Sequence, residues 1–153
     1  MIASLPRAAP RVVASGVRDV DWVLRELAAL QHRLIPVLAE AALILVQERA
    51  WFDFGYARAA DFARERLGRT GRWLHDHAAL EERFRCFPAL ARAATGEDGG
   101  TPLGRVAALL VGRVATMNDV ELWIERAGRM PVRCLREIIR TPMDSWTRAL
   151  SSR

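Results

Sequence analysis

Wherever apolar residues recur in this 153-residue chain they recur three or four positions apart, and no segment alternates with the period of two that a half-buried strand needs. That single periodicity restricts the fold to packed helices. Val20, Val23, Leu24, Leu27, Leu30 and Leu34 follow it behind Asp19 or Asp21, either of which can cap a helix, and the spacing predicts one buried face. Pro36 falls inside the pattern, so the helix either kinks there or restarts with proline in its first turn. From Val37 to Val46 nearly every position is apolar. A central helix covered on several sides accounts for that run, and a homodimer through Val37 to Val46 is the alternative.

Punctuation divides the rest into short helices. Trp51-Phe52-Asp53-Phe54-Gly55-Tyr56 is an aromatic connection suited to plug the end of a bundle. A helix follows from Ala57 to Leu67, with Ala59, Ala60, Ala63 and Leu67 expected inward, and Gly68 stands where a left-handed C-terminal residue is wanted. Thr70 can cap the next helix, whose stripe of Trp73, His77, Leu80, Phe84 and Phe87 makes His77 a hydrogen-bonded core residue. Thr95 to Pro102 reads as a loop, and Leu103 to Ala115 as a helix. Asn118 with Glu121 forms a capping-box pattern for a helix closed by Gly128. The last helix starts at Pro131, turns Val132, Leu135, Ile138 and Ile139 inward, and stops at Thr141-Pro142.

The expected fold is therefore all-α, a compact bundle of about six to seven helices containing a helix-turn-helix-like hairpin. Residues 19–142 form the domain, with a disordered tail over 1–18 and a second tail over 143–153. Hydrophobic residues at 51% and charged residues at 27% suit a folded soluble chain rather than a disordered one. The most apolar run, Leu34 to Val46, is broken by Pro36 and Glu40 and falls short of the roughly 20 residues a membrane span needs, so no membrane association is expected. The N-terminus lacks an unbroken apolar stretch for secretion, and cytoplasm is the expected compartment. Cys86 and Cys134 are isolated and read as small core residues in a reducing setting.

The stretch that can carry function is Leu67-Gly68-Arg69-Thr70-Gly71-Arg72-Trp73. A helix, a tight glycine turn and a second helix with a basic start is the outline of a helix-turn-helix. Arg64, Arg66, Arg69 and Arg72 cluster there against Glu65 alone, and the amides at the start of the second helix can hold a phosphate. Arg64 stands where such motifs usually place a small residue and His77 where an aliphatic one is expected, so the two helices should cross differently. The candidate contacts to double-stranded DNA are Arg64, Arg69 and Arg72 to phosphates, Thr70 as cap and backbone contact, and Trp73 or His75 facing the groove. All 23 basic residues are arginine, against 18 acids; that excess favours anionic partners only weakly.

No catalytic constellation is legible. Metal hydrolysis, a nucleophile with its base, or a phosphate-cradling loop would each need clustered residues that the sequence lacks, and His75 and His77, two apart on a helix, cannot share a metal. No catalytic residue, metal or cofactor is expected.

Several stretches together resemble the helical N-terminal domain of unknown function that precedes the nuclease in many bacterial HNH endonuclease-like proteins. They are Gly55-Tyr56 before a helix with Phe62, then Arg64-Glu65-Arg66-Leu67-Gly68 with Thr70, Phe87-Pro88-Ala89-Leu90, Arg105-Val106, Val114-Ala115-Thr116, Trp123 with Ala127, and Met130-Pro131-Val132-Arg133 before Leu135. The resemblance spans roughly Leu24 to Ile139 and implies a DNA-binding or accessory role without catalysis. The family's nuclease residues lie further C-terminal, and after Pro142 this sequence has neither His nor Cys to receive them. A separate HNH nuclease subunit is then an implied partner. The alternatives are a helical interaction or dimerisation module, or a remnant or split subunit of such a nuclease.

Overall fold

Proline, glycine and small polar residues break this chain into helices whose inner faces are unusually rich in alanine. The computed structural model describes residues 16–97 and 99–140, and those residues form helices, turns and no strand. Helices α1 (Val17–Arg33) and α2 (Ile35–Gln47) meet at Leu34, whose backbone remains right-handed helical, with Pro36 in the first turn of α2. The Leu34 amide donates to the Leu30 carbonyl and the Leu38 amide to the Leu34 carbonyl, at 3.2 and 2.9 Å, so the two continue as one 31-residue rod. A single turn of 3₁₀ helix at Ala50–Phe52 leads to α3 (Ala59–Leu67) and α4 (Gly71–Cys86). Then come α5 (Pro88–Thr95), α6 (Arg105–Val114), α7 (Val120–Arg129) and α8 (Val132–Arg140). With the rod counted once, the described residues form an all-α bundle of seven helices, within the six to seven that the periodicity predicts.

Helix α4 is the axis of the bundle. Toward its C-terminal end Leu80 and Phe84 pack with Ile35 and Ala39 of α2 and with residues of α5 to α8. Toward its N-terminal end Leu74 and Ala78 pack with Ala42 and Leu43 of α2 and with Ala59 and Ala63 of α3. Because the start of α2 meets the end of α4, the two helices run antiparallel, and the alanines between them allow close approach. Leu74, Leu80, Leu90, Val111 and Leu135 are fully enclosed. Truncating a leucine in such a place typically costs ~2–5 kcal/mol.

Several sequence expectations need correction. The apolar face of α1 is not buried: Leu24, Leu27, Leu30 and Leu34 are at least half exposed, and α1 contributes no buried residue. Periodicity identifies a face that should leave water, but the rest of the domain covers a different side of the rod. Cys86 and Cys134 are exposed rather than core, since both lie on the outward faces of their helices. Ala60 and Leu67 are exposed, and Phe62 takes the inward place on α3. The residue before α7 is Asp119, whose carboxylate accepts from the Thr116 amide and hydroxyl, so Asn118 is not the cap. Gly128 lies inside α7, which continues to Arg129. The helical domain starts at Val17 rather than Asp19, while residues 1–15 of the expected N-terminal tail, the stop at Thr141-Pro142 and the tail 143–153 lie outside the described residues.

By length and apolar composition the Val17–Gln47 rod can span a bilayer. Its middle nevertheless carries exposed Arg33 and Glu40, and Ile35, Ala39, Ala42 and Leu43 are buried against the protein's own helices. Lipid would have to replace those contacts and accept both charges.

Candidate nucleic-acid interface

The α3–α4 hairpin is built by three local rules. Gly68 adopts a left-handed conformation (φ 62°, ψ 29°) that ends α3, and the Arg69 amide returns to the Ala63 carbonyl at 2.9 Å. The Thr70 hydroxyl oxygen accepts from the Trp73 amide at 3.1 Å, which makes it the N-cap that its position predicts. Gly71 then lets the two helices touch: a Cβ there would stand 2.9 Å from the Ala60 Cβ. The close crossing therefore falls at Ala60 and Gly71. Arg64, one turn further along α3, is left on the outside, which is why a large residue is tolerated there.

Around this turn the six candidate side chains divide by what already holds them. Arg64 is bound to Asp61 at 2.9 Å and to Glu65 at 3.3 Å, hydrogen bonds that raise its already high pKa and commit its charge. Thr70 spends its acceptor on the cap. The Arg69 guanidinium lies 5.7 Å from the centre of the half-buried Trp73 ring, and that ring in turn lies 4.1 Å from the His77 ring. Arg69 is thus held by an aromatic face rather than by an acid, so its charge stays available. Arg72 and His75 are exposed on one side of α4 and make no ion pair among the described residues. Arg69, Arg72 and His75 therefore face solvent at the same end of α4, while Arg64 sits apart with its acids.

His77 is buried as the stripe predicts, with its Nδ1 2.8 Å from the Trp73 carbonyl. A carbonyl can only accept, so Nδ1 carries the hydrogen. Burial pushes its pKa down, and the charges of Arg105 and Arg69 act in the same direction, against the opposing pull of the Trp73 hydrogen bond and of Asp76.

Two contributors are not among the candidate contacts, although Arg66 is counted in the basic cluster. Arg66 is exposed near the end of α3, its guanidinium 5.2 Å from the centre of the exposed Phe54 ring, the same cation-on-aromatic arrangement as at Arg69. Asp76 would oppose an anion here, but it is bound to Arg105 of α6 at 2.6 Å. The nearness of residues 29 apart is not readable from spacing. Between Arg58 and His75 there are five arginines against two acids, Asp61 and Glu65, and both of those acids face Arg64.

The same packing limits how far α4 can enter a groove. Leu74, His77, Ala78, Leu80 and Phe84 turn one side of the helix inward, and α2, α3, α5 and α6 all lie against it. Beyond the first two turns the free side carries Glu82, which repels phosphate. Among the described residues no group of three or more His, Cys, Asp or Glu is arranged to hold a metal ion. No family model matches this chain, and neither does any curated protein or solved structure.

Proposed function

We propose that this protein is a non-catalytic accessory module that docks on the backbone of double-stranded DNA through the turn end of the α3–α4 hairpin. The observation that carries this reading is the pairing pattern at that turn. Arg66 and Arg69 are held by aromatic rings, Arg72 faces solvent, and the nearby acids Asp61, Glu65 and Asp76 are each engaged by another arginine. The amides of Gly71 and Arg72 open the first turn of a 16-residue helix, where the helix dipole adds to the local positive field.

In this reading Arg69, Arg72 and Arg66 contact phosphates and Thr70 fixes the helix start. Trp73 holds Arg69 in place, and His75 is the side chain nearest to base edges. Arg64 contributes less, because an anion would have to displace two carboxylates. With α4 enclosed beyond its first turns, contacts concentrate on the backbone and sequence preference is weak. The resemblance to the helical domain preceding HNH nucleases supports the same role in a bacterial cytoplasm, with cleavage supplied by a separate nuclease subunit.

The test is a fluorescence anisotropy titration of a mixed-sequence duplex at about 50 and 200 mM salt. The parent is expected to bind at the lower salt and weaken steeply at the higher. Arg69→Ala/Arg72→Ala should bind clearly less at both. Equal binding by parent and double variant refutes the assignment to this turn.

A further inference from the structure

We propose that the exposed stripe of the α1–α2 rod is the contact surface for a second copy of this chain, packed antiparallel and offset by one heptad. The stripe is longer than the Val37 to Val46 segment and obeys a stricter pattern. Val20, Leu27, Leu34 and Ala41 are spaced seven apart, and Val23, Leu30, Val37 and Ile44 follow each of them by three. These are the a and d positions of four consecutive heptads, the seam of a two-helix coiled coil. The stripe runs without a slip through the junction at Leu34, where the backbone stays helical.

The domain's own core does not use this seam. Its inward residues on α2 are Ile35, Ala39, Ala42 and Leu43, all at other heptad positions. Leu27 is 53% exposed, Leu34 54%, Val37 61% and Ile44 53%. Together with Leu24, Leu30 and Leu38 these side chains leave roughly 700 Å² of apolar surface per copy in water, close to the ~800 Å² each partner contributes to a stable interface. A contiguous face of that size is uncommon on a monomer.

Flanking charges choose the occupant and its direction. The e positions Leu24, Gln31, Leu38 and Leu45 carry no charge, whereas the g positions are Glu26, Arg33, Glu40 and Gln47. A parallel pair sets g against e and forms no ion pair. An antiparallel pair sets g against g. With all eight layers overlapped it opposes Glu26 to Glu40 and Arg33 to its own copy, which is repulsive. Shifting one heptad layers Leu27 on Ile44, Leu30 on Ala41 and Leu34 on Val37. It then brings Arg33 against Glu40 of the second copy twice, with Leu24 against Leu45 and Gln31 against Leu38. The opposite shift pairs Glu26 with Arg33 but also sets Asp19, which precedes Val20, against Glu40, and it leaves Ala41 and Ile44 outside the seam. Neither Arg33 nor Glu40 forms an ion pair within the described residues, so both are available. A lipid surface fits less well, since the rod carries three arginines against four acids and has no cationic excess to hold anionic headgroups.

Light-scattering mass measured on the full chain from about 1 to 200 µM tests this, with circular dichroism as the folding control. The parent should approach twice the chain mass, and Leu27→Glu/Leu34→Glu should remain at the chain mass with unchanged helicity. Arg33→Glu and Glu40→Arg should each raise the dissociation constant about tenfold, and the double exchange should restore it to within about threefold. A parent that stays monomeric at 200 µM overturns the proposal. So does a dimer indifferent to the leucine substitutions, or one for which Glu40→Arg is silent or the exchange fails to restore association. Co-sedimentation of a monomeric parent with phosphatidylcholine–phosphatidylglycerol vesicles would assign the stripe to a membrane instead.

Discussion

Replacing Gly71 with alanine should destabilise the protein, although alanine is ordinarily the better helix former. The added Cβ would stand 2.9 Å from the Ala60 Cβ and 3.0 Å from the Ala60 Cα, against the roughly 3.5–4.0 Å that carbon atoms prefer. One of those contacts is backbone, so no side-chain rotation relieves it and α3 must shift relative to α4. Overpacking of this kind typically costs about 1–3 kcal/mol. Against it stands at most ~1 kcal/mol of helix propensity, much of which is lost in the first turn of a helix. The net expectation is a loss of about 1–2 kcal/mol, or roughly 4–8 °C in melting temperature for a domain of this size. Urea denaturation followed by circular dichroism reads it directly. The double variant Ala60→Gly/Gly71→Ala removes the shorter of the two contacts and should show favourable coupling of about 1 kcal/mol relative to the sum of the single changes. A Gly71→Ala protein as stable as the parent, or more so, refutes the close crossing of α3 and α4.

Two further outcomes follow from the hairpin. Thr70→Ala removes the one side-chain cap of α4 and should cost about 1 kcal/mol in urea denaturation, with Thr70→Ser retaining most of the stability. His77 titrates below its ordinary value near 6.5 when folded, so between the folded and unfolded pKa values the unfolded chain binds the extra proton. Stability is then fully present above about pH 6.5 and declines as pH falls below it. The parent should lose more stability between pH 7.5 and 5.5 than His77→Asn, whose amide can keep a donor toward the Trp73 carbonyl; equal losses would contradict a buried neutral ring.

Local signals in the sequence carried most of the secondary structure, because helix ends are decided by residues in immediate succession. Gly68 needs only its own missing Cβ to turn left-handed, and Thr70 needs only the amide three residues on. Side-chain partners were legible only in part. The clustering of Arg66, Arg69 and Arg72 is visible in the sequence, but the pairing of Asp76 with Arg105 spans 29 residues and follows from how α6 crosses α4. The sharpest miss has the same origin. The spacing from Val20 to Leu34 says that one face of α1 avoids water without saying what covers it, and the assignment to the domain's own core was wrong. The cysteines failed for a related reason, since a helical context leaves open which side of the helix a single residue occupies.

The most direct test of the proposed role is the salt dependence of duplex binding, measured for the parent and for Arg69→Ala/Arg72→Ala between about 50 and 200 mM salt. Each phosphate contact contributes about 0.9 to the slope of log K against log salt. If Arg69 and Arg72 each neutralise a phosphate, the slope of the double variant should be shallower than that of the parent by about 1.8. Equal slopes, or no binding by the parent at the lowest salt, would contradict the account and leave the Gly68 turn as a device for packing α3 against α4.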